Sequence, residues 1–143
     1  NYFIDHNYSE KIVSELVKIN KIKSKAKDFY LNKKNLFNMS KNKMIIGSHS
    51  HTHPVLSNID LKSQKNEIFF SSKILNNIIG KKIEFFSYPY GIKKTYNKST
   101  FELLKKAGIK YSFIADNHRD GKRNNNLKIR RYDCNKFLYG KAK

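Results

Sequence analysis

The sequence predicts a parallel α/β architecture, a sheet or barrel with helices packed on it. Three observations carry this expectation. Segments with apolar residues at helical spacing alternate with short apolar runs of the kind that form buried strands. Glycine, proline and capping residues fall at the junctions between them. The polar residues of unusual chemistry cluster just after the apolar runs, where loops at the C-terminal ends of parallel strands gather functional groups.

In chain order, Ser9 to about Ile22 places Ile12, Val13, Leu16 and Val17 on one helical face, with Ser9 as N-cap and Glu10 in the first turn. Lys23 to Lys43 is rich in lysine and asparagine and reads as an extended piece followed by a short helix over Lys34–Lys41. Met44-Ile45-Ile46-Gly47 is a brief apolar run expected to form a buried strand leading into SHSHTHP. A long helix over Ile59–Ile79 is announced by Ser57, Asn58 and Asp60 and closed by Gly80. Ile83–Ser87 is a second strand, and Pro89 and Gly91 prevent its regular continuation. Ser99 or Thr100 caps a helix carrying Phe101, Leu103, Leu104 and Ala107, which Gly108 ends. Lys110–Ala115 is a third strand and Leu127–Arg131 a fourth. HSHTHP, SYPYG and ADNHRD are therefore expected along one edge of the sheet.

Composition bounds the class. The chain has 143 residues, with 30 Lys plus Arg against 11 Asp plus Glu and a net charge of +19, which invites a nucleic-acid reading. Its make-up argues against that reading. Of the basic residues 26 are lysine and only four arginine, scattered through every segment and accompanied by abundant asparagine and isoleucine, as in an A/T-rich genome. Nucleic-acid recognition leans on arginine forks and exposed aromatics, which do not cluster with these lysines. One cysteine excludes a disulfide framework, and no window approaches the roughly 18 apolar residues of a membrane helix. Cys134 has no histidine near it in sequence and reads as a packed thiol rather than a nucleophile. The opening NYFIDHNYSE contains no charged leader followed by an apolar region, so no signal peptide is expected in it. Localisation stays open, leaning to the cytoplasm.

Three of the five histidines occupy five residues, as His49, His51 and His53. His49 and His53 have the i, i+4 spacing of a helical zinc pair. Ser50 stands where a metalloprotease has its glutamate, however, and Pro54 biases His53 away from the α region. The motif is a loop in which two imidazoles can still converge on one metal, while His51 points elsewhere as a supporting or structural group. The competing reading is a histidine-rich surface loop with no ligand. In SYPYG a proline-locked turn offers the backbone N–H groups of Tyr90 and Gly91 as oxyanion donors. Packed aromatics beside a turn explain the same residues.

Taken together, MIIGSHSHTHPVLSNI, the helix ending in IIG, KKIEFFSYPYG and TFELLKKAGIKYSF resemble the polysaccharide deacetylase family, the NodB-homology domain of carbohydrate esterase family 4. The match runs over roughly residues 34–115, and the tail RRYDCNKFLYGKA is similar to a subgroup linked to surface-glycan or capsule biosynthesis. The resemblance implies a single, incomplete domain over residues 1–143, part of an irregular (β/α) barrel. It implies a hydrolase dependent on a divalent metal, usually zinc, that removes the acetyl group from an N-acetylated amino-sugar glycan. His49 and His53 would be the metal histidines and the N–H of Tyr90 the oxyanion donor; Tyr88, Pro89 and Arg131 are candidate substrate contacts, with a solvated strand edge the competing reading of Arg131.

The departures from the family pattern matter. Its Thr-Phe-Asp-Asp run is not here, and FIDHNY around Asp5 lacks paired acids, so the base and third ligand are expected before Asn1. Ser87 replaces the family's arginine before Tyr88-Pro89. His118 is the sole late histidine available as the acid, and Arg119 with Asp120 or Asp116 could form the arginine–carboxylate pair that orients the base. These 143 residues alone are expected to be inactive, because two histidines leave a metal under-ligated. The alternatives are a non-catalytic glycan- or metal-binding relic and, further off, a basic nucleic-acid-binding domain. Oligomeric state is not legible.

Overall fold

The computed structural model describes residues 6–19, 30–115, 125–131, 137–138 and 141–142. Asp5, Asp116, His118, Arg119, Asp120 and Cys134 lie outside them, and so do the readings made of these residues.

Helix α1 (His6–Ile19) forms where the apolar period predicts it but starts three residues earlier than Ser9, and its Ile12, Val13, Leu16 and Val17 are exposed. Helix α2 (Lys33–Lys41) is closed at its start by a reciprocal pair of hydrogen bonds between Asn32 and Asn35. Helix α3 (Leu61–Ile79) is capped by Asp60, whose carboxylate accepts from the Ser63 N–H at 2.9 Å. It ends at Gly80, whose φ of 71° is the left-handed conformation that glycine adopts without strain. A single 3-10 turn, Leu56–Asn58, precedes it.

Three short strands, β1 (Phe85–Ser87), β2 (Tyr111–Ile114) and β3 (Ile129–Arg130), form a parallel sheet in that order. Their register pairs Phe86 with Ser112 and Phe113 with Ile129. Between β1 and β2 the chain crosses over through helix α4 (Lys98–Lys106), as parallel pairing requires. Its N-cap is Asn97 rather than Ser99 or Thr100; Thr100 instead sits three residues on and returns a hydrogen bond to the Asn97 N–H. A small antiparallel pair, β4 (Phe137–Leu138) and β5 (Lys141–Ala142), was not foreseen.

The expected buried strand at Met44–Gly47 is corrected. Met44 and Ile45 are exposed, and the segment contributes one parallel bridge, Ser48 to Phe86. Two bonds make it: the Ser48 N–H donates to the Phe85 carbonyl, and the Ser87 N–H to the Ser48 carbonyl. That contact suffices to bring the histidine loop alongside the end of β1.

The core lies between the sheet and the helices. Leu56, Ile68, Phe86, Tyr88 and Leu104 are completely buried, and burial of each such side chain contributes about 1.5–3 kcal/mol relative to exposure. Helix α3 packs against both α2 and α4. A buried hydrogen bond from the Thr100 hydroxyl to Gln64 Oε1, at 2.8 Å, ties α4 to α3 within this apolar contact.

Candidate active site

The site is assembled where β1 ends. Ser48 anchors the histidine loop from below: its hydroxyl lies 2.8 Å from that of Ser71 on α3, both buried. From the same helix Glu67 reaches into the loop. Its carboxylate accepts the backbone N–H groups of His51 and Thr52 and the Thr52 hydroxyl, each at 2.8 Å. Three bonds to one carboxylate fix the loop between the two outer histidines. Glu67 was not singled out from sequence, because its partners are 15 and 16 residues away and only the tertiary fold brings them together.

So held, the loop turns the rings of His49 and His53 toward each other, with centroids 4.8 Å apart in an edge-on arrangement. His49 Nδ1 is 2.7 Å from the Ser87 carbonyl. A carbonyl only accepts, so Nδ1 carries the proton and Nε2 presents its lone pair. As a residue His49 is exposed, yet its ring is the part tucked against Ser87 and His53. Desolvation is the main cause that holds its pKa below the usual 6.5, helped by the charges of His53 and Arg131 and opposed by the Ser87 carbonyl. Neutral imidazole is the form that ligates metals. His51 stands apart: its ring packs edge-on against Phe70 at 4.6 Å.

The second loop meets the first directly. The Tyr90 ring packs edge-on against that of His53, centroids 4.7 Å apart. Both residues have positive φ, 61° and 62°, a conformation non-glycine residues avoid. At Tyr90 the cause is a tight γ-turn, in which the Gly91 N–H donates to the Pro89 carbonyl at 2.6 Å. Gly91 is therefore spent on the turn and does not supply the oxyanion donor considered for it.

Two of the expected substrate contacts, Tyr88 and Pro89, are placed in the core. Tyr88 is fully buried, its hydroxyl donating to the Leu127 carbonyl at 2.9 Å and accepting from Ser112, and burial raises its pKa far above that of a free tyrosine. Pro89 is fully buried as well. Both side chains build the floor under the turn rather than its surface. Arg131, at the end of β3, turns its guanidinium to the Ser87 hydroxyl at 2.6 Å and the Tyr88 carbonyl at 3.3 Å.

A parallel sheet whose strand ends carry a paired-histidine loop and a Pro-Tyr-Gly turn matches the polysaccharide deacetylase family model over residues 4–112. The chain belongs to the polysaccharide deacetylase family. Solved structures agree in fold. A deacetylase from Streptococcus pyogenes in complex with acetate is 21% identical with a TM-score of 0.61, over 71% of this chain and 44% of that one. A family 4 carbohydrate esterase from Streptomyces lividans, also in complex with acetate, is 22% identical with a TM-score of 0.53, over 59% and 42%. A deacetylase domain from Bordetella bronchiseptica is 18% identical with a TM-score of 0.61, over 74% and 51%. The chain thus spans about half the length of the solved deacetylases it matches. Among curated proteins none matches it in sequence. Neutral imidazoles are of the chemistry that ligates divalent metals, and among the described residues no third histidine, cysteine or carboxylate joins His49 and His53. No helix among the described residues is long and apolar enough to cross a membrane.

Proposed function

We propose that the intact protein is a divalent-metal-dependent hydrolase that removes acetyl groups from an N-acetylated amino-sugar glycan, and that zinc is its metal. The observation that carries this reading is the facing pair His49 and His53, 4.8 Å apart beside the Tyr90 turn, in a chain of the polysaccharide deacetylase family. The acetate in two solved relatives supports the acyl chemistry for those proteins and, by extension, the proposal here.

A metal bound at these imidazoles would polarise an acetamide carbonyl and make a water easier to deprotonate. The chain's own residues do the rest. His49 and His53 would hold the ion, the Ser87 carbonyl keeps the His49 proton on Nδ1 and so leaves Nε2 its lone pair, and Glu67 ties down the loop between them. The Tyr90 backbone N–H is the candidate donor to the oxyanion formed as the amide is attacked. Its peptide is rigid before substrate arrives, because the γ-turn and the buried Pro89 fix it. Outside the described residues, His118 is the candidate proton donor to the leaving amine, and Arg119 with Asp120 or Asp116 the candidate pair that would orient a carboxylate base.

The test is acetate release from N-acetylglucosamine oligomers by the intact protein, before and after chelation and zinc readdition. Activity is expected to disappear with chelator, return with zinc, and fall about a thousandfold in His49→Ala and His53→Ala, equivalent to several kcal/mol of charge stabilisation. A protein that binds zinc through these histidines yet releases no acetate is the non-catalytic relic, and the hydrolase reading falls.

A further inference from the structure

The side chain least explained by the site as described is Arg131. It lies 44 residues from Ser87 in sequence, yet its guanidinium straddles the exit of β1. Nη1 donates to the Ser87 hydroxyl at 2.6 Å and Nη2 to the Tyr88 carbonyl at 3.3 Å. Its own backbone is fixed, since the Arg131 N–H donates to the Ile114 carbonyl at 2.8 Å and so extends the β2–β3 pairing by one residue. The guanidinium is therefore carried by a rigid sheet edge rather than by a loop.

The position of this fork is where the sheet can no longer hold the chain. The Tyr88 N–H makes the last ladder bond, to the Phe113 carbonyl at 3.1 Å, and Pro89 then has no N–H to continue it. The neighbouring strand leaves the Tyr88 carbonyl and the Ser87 side chain to other partners, and Arg131 takes both. Space for it is provided at Gly91. A Cβ there would lie 3.2 Å from Arg131 Nη2 and 2.7 Å from the Ala115 nitrogen. Ser87 joins the two halves of the arrangement. Its hydroxyl meets Arg131, while its carbonyl receives the His49 Nδ1 proton.

We propose that Arg131 is a positioning residue, whose two-donor brace on the Ser87–Tyr88 segment fixes the tautomer and aim of the His49 imidazole. The inference rests on the metal reading above for its function but not for its geometry. Lysine cannot replace the arginine, because the brace needs two donors in a fixed fork and an ammonium is a single flexible point. An outer partner that orients a ligating histidine typically controls metal affinity by about 10–100-fold.

The experiment compares the intact protein with Arg131→Lys, Arg131→Ala and Ser87→Ala in two readouts. Imidazole ¹⁵N shifts of the metal-free proteins, with His49 assigned through His49→Gln, report which nitrogen holds the proton. Zinc titration reports affinity. The wild type is expected to show His49 protonated at Nδ1, and both Arg131 variants a mixture of tautomers with zinc binding weaker by about 10-fold or more. Ser87→Ala keeps the carbonyl and loses the hydroxyl anchor, so it is expected to fall between them. Should Arg131→Ala fail to fold, Arg131→Lys and Ser87→Ala still decide. Unchanged His49 tautomer in the Arg131 variants, or zinc affinity within about twofold of wild type, overturns the proposal. If the wild type binds no zinc, the metal reading fails while the tautomer comparison still judges the brace.

Discussion

At the scale of single residues, the site depends on a glycine that could not be anything else. Gly91 combines a φ of 71° with a backbone neighbour, the Ala115 nitrogen, 2.7 Å from where a Cβ would stand. Backbone cannot yield as a flexible side chain can, so Gly91→Ala forces β2 and the Pro-Tyr-Gly turn apart. The expected cost is about 2 kcal/mol or more of stability in denaturant unfolding, together with weakened zinc binding. A variant as stable as wild type would show that the turn can open without resistance. The buried triangle of Tyr88, Ser112 and the Leu127 carbonyl works in the same place but by chemistry rather than shape. Two hydroxyl protons satisfy three oxygens there, and the aromatic ring is thereby locked under the turn.

At the scale of elements, α3 carries more of the site than its distance from the histidines in sequence suggests. Glu67 presents one carboxylate to three donors of the loop. Glu67→Gln keeps the size but gives up the charge and one acceptor oxygen, and zinc affinity is expected to fall about tenfold with the helical circular dichroism unchanged. Equal affinity would remove Glu67 from the site's support. At the start of the same helix, the Ser63 N–H and hydroxyl hold the Asp60 carboxyl below its usual value of 3.8. A carboxyl depressed on folding stabilises above its unfolded pKa, and that contribution disappears as pH falls through the folded value. The thermal midpoint of Asp60→Ala should thus lie below wild type at neutral pH, and the gap should close only in acid below about pH 3.8. A gap independent of pH would assign the effect to something other than the ionised cap.

Sequence reading did best on these helices and worst on what joins them. Asp60 and Gly80 bracket α3 because capping is local chemistry, while the helix expected over Lys34–Lys41 forms over Lys33–Lys41 with an Asn32 cap that was not singled out. Strands of two to four residues leave too short a pattern to bound, so Met44–Gly47 was read as a strand although only Ser48 pairs. The histidine loop and the Pro-Tyr-Gly turn were legible as chemistry, while Glu67 and the Arg131–Ser87 contact were not. Their partners are set by tertiary placement across 15 to 44 residues, which no spacing rule encodes.

For the whole molecule, the charge of +19 is the feature most open to misreading. Among the described residues its lysines sit mainly at exposed positions, with Lys62, Lys65 and Lys73 on α3, Lys93 and Lys94 in the crossover, and Lys105 and Lys106 on α4. A dispersed cationic surface attracts polyanions weakly and without register. Binding to duplex or single-stranded DNA is therefore expected to vanish by about 0.15 M salt and to show no sequence preference. Tight binding that persists at that salt, with a steep linear dependence on its logarithm, would reinstate a nucleic-acid role.

The paired positive φ angles at His53 and Tyr90 have an evolutionary consequence. The backbone at residue 53 asks for glycine, and the side chain found there is exposed, its packing limited to the edge-on contacts with the His49 and Tyr90 rings. His53→Gly is expected to melt no lower than wild type and to gain up to about 1 kcal/mol, while zinc binding collapses; a clear loss of stability would contradict this. Drift toward a sturdier protein is thus drift toward a silent one. The histidine persists against the folding preference of its own backbone only as long as selection for the chemistry is maintained.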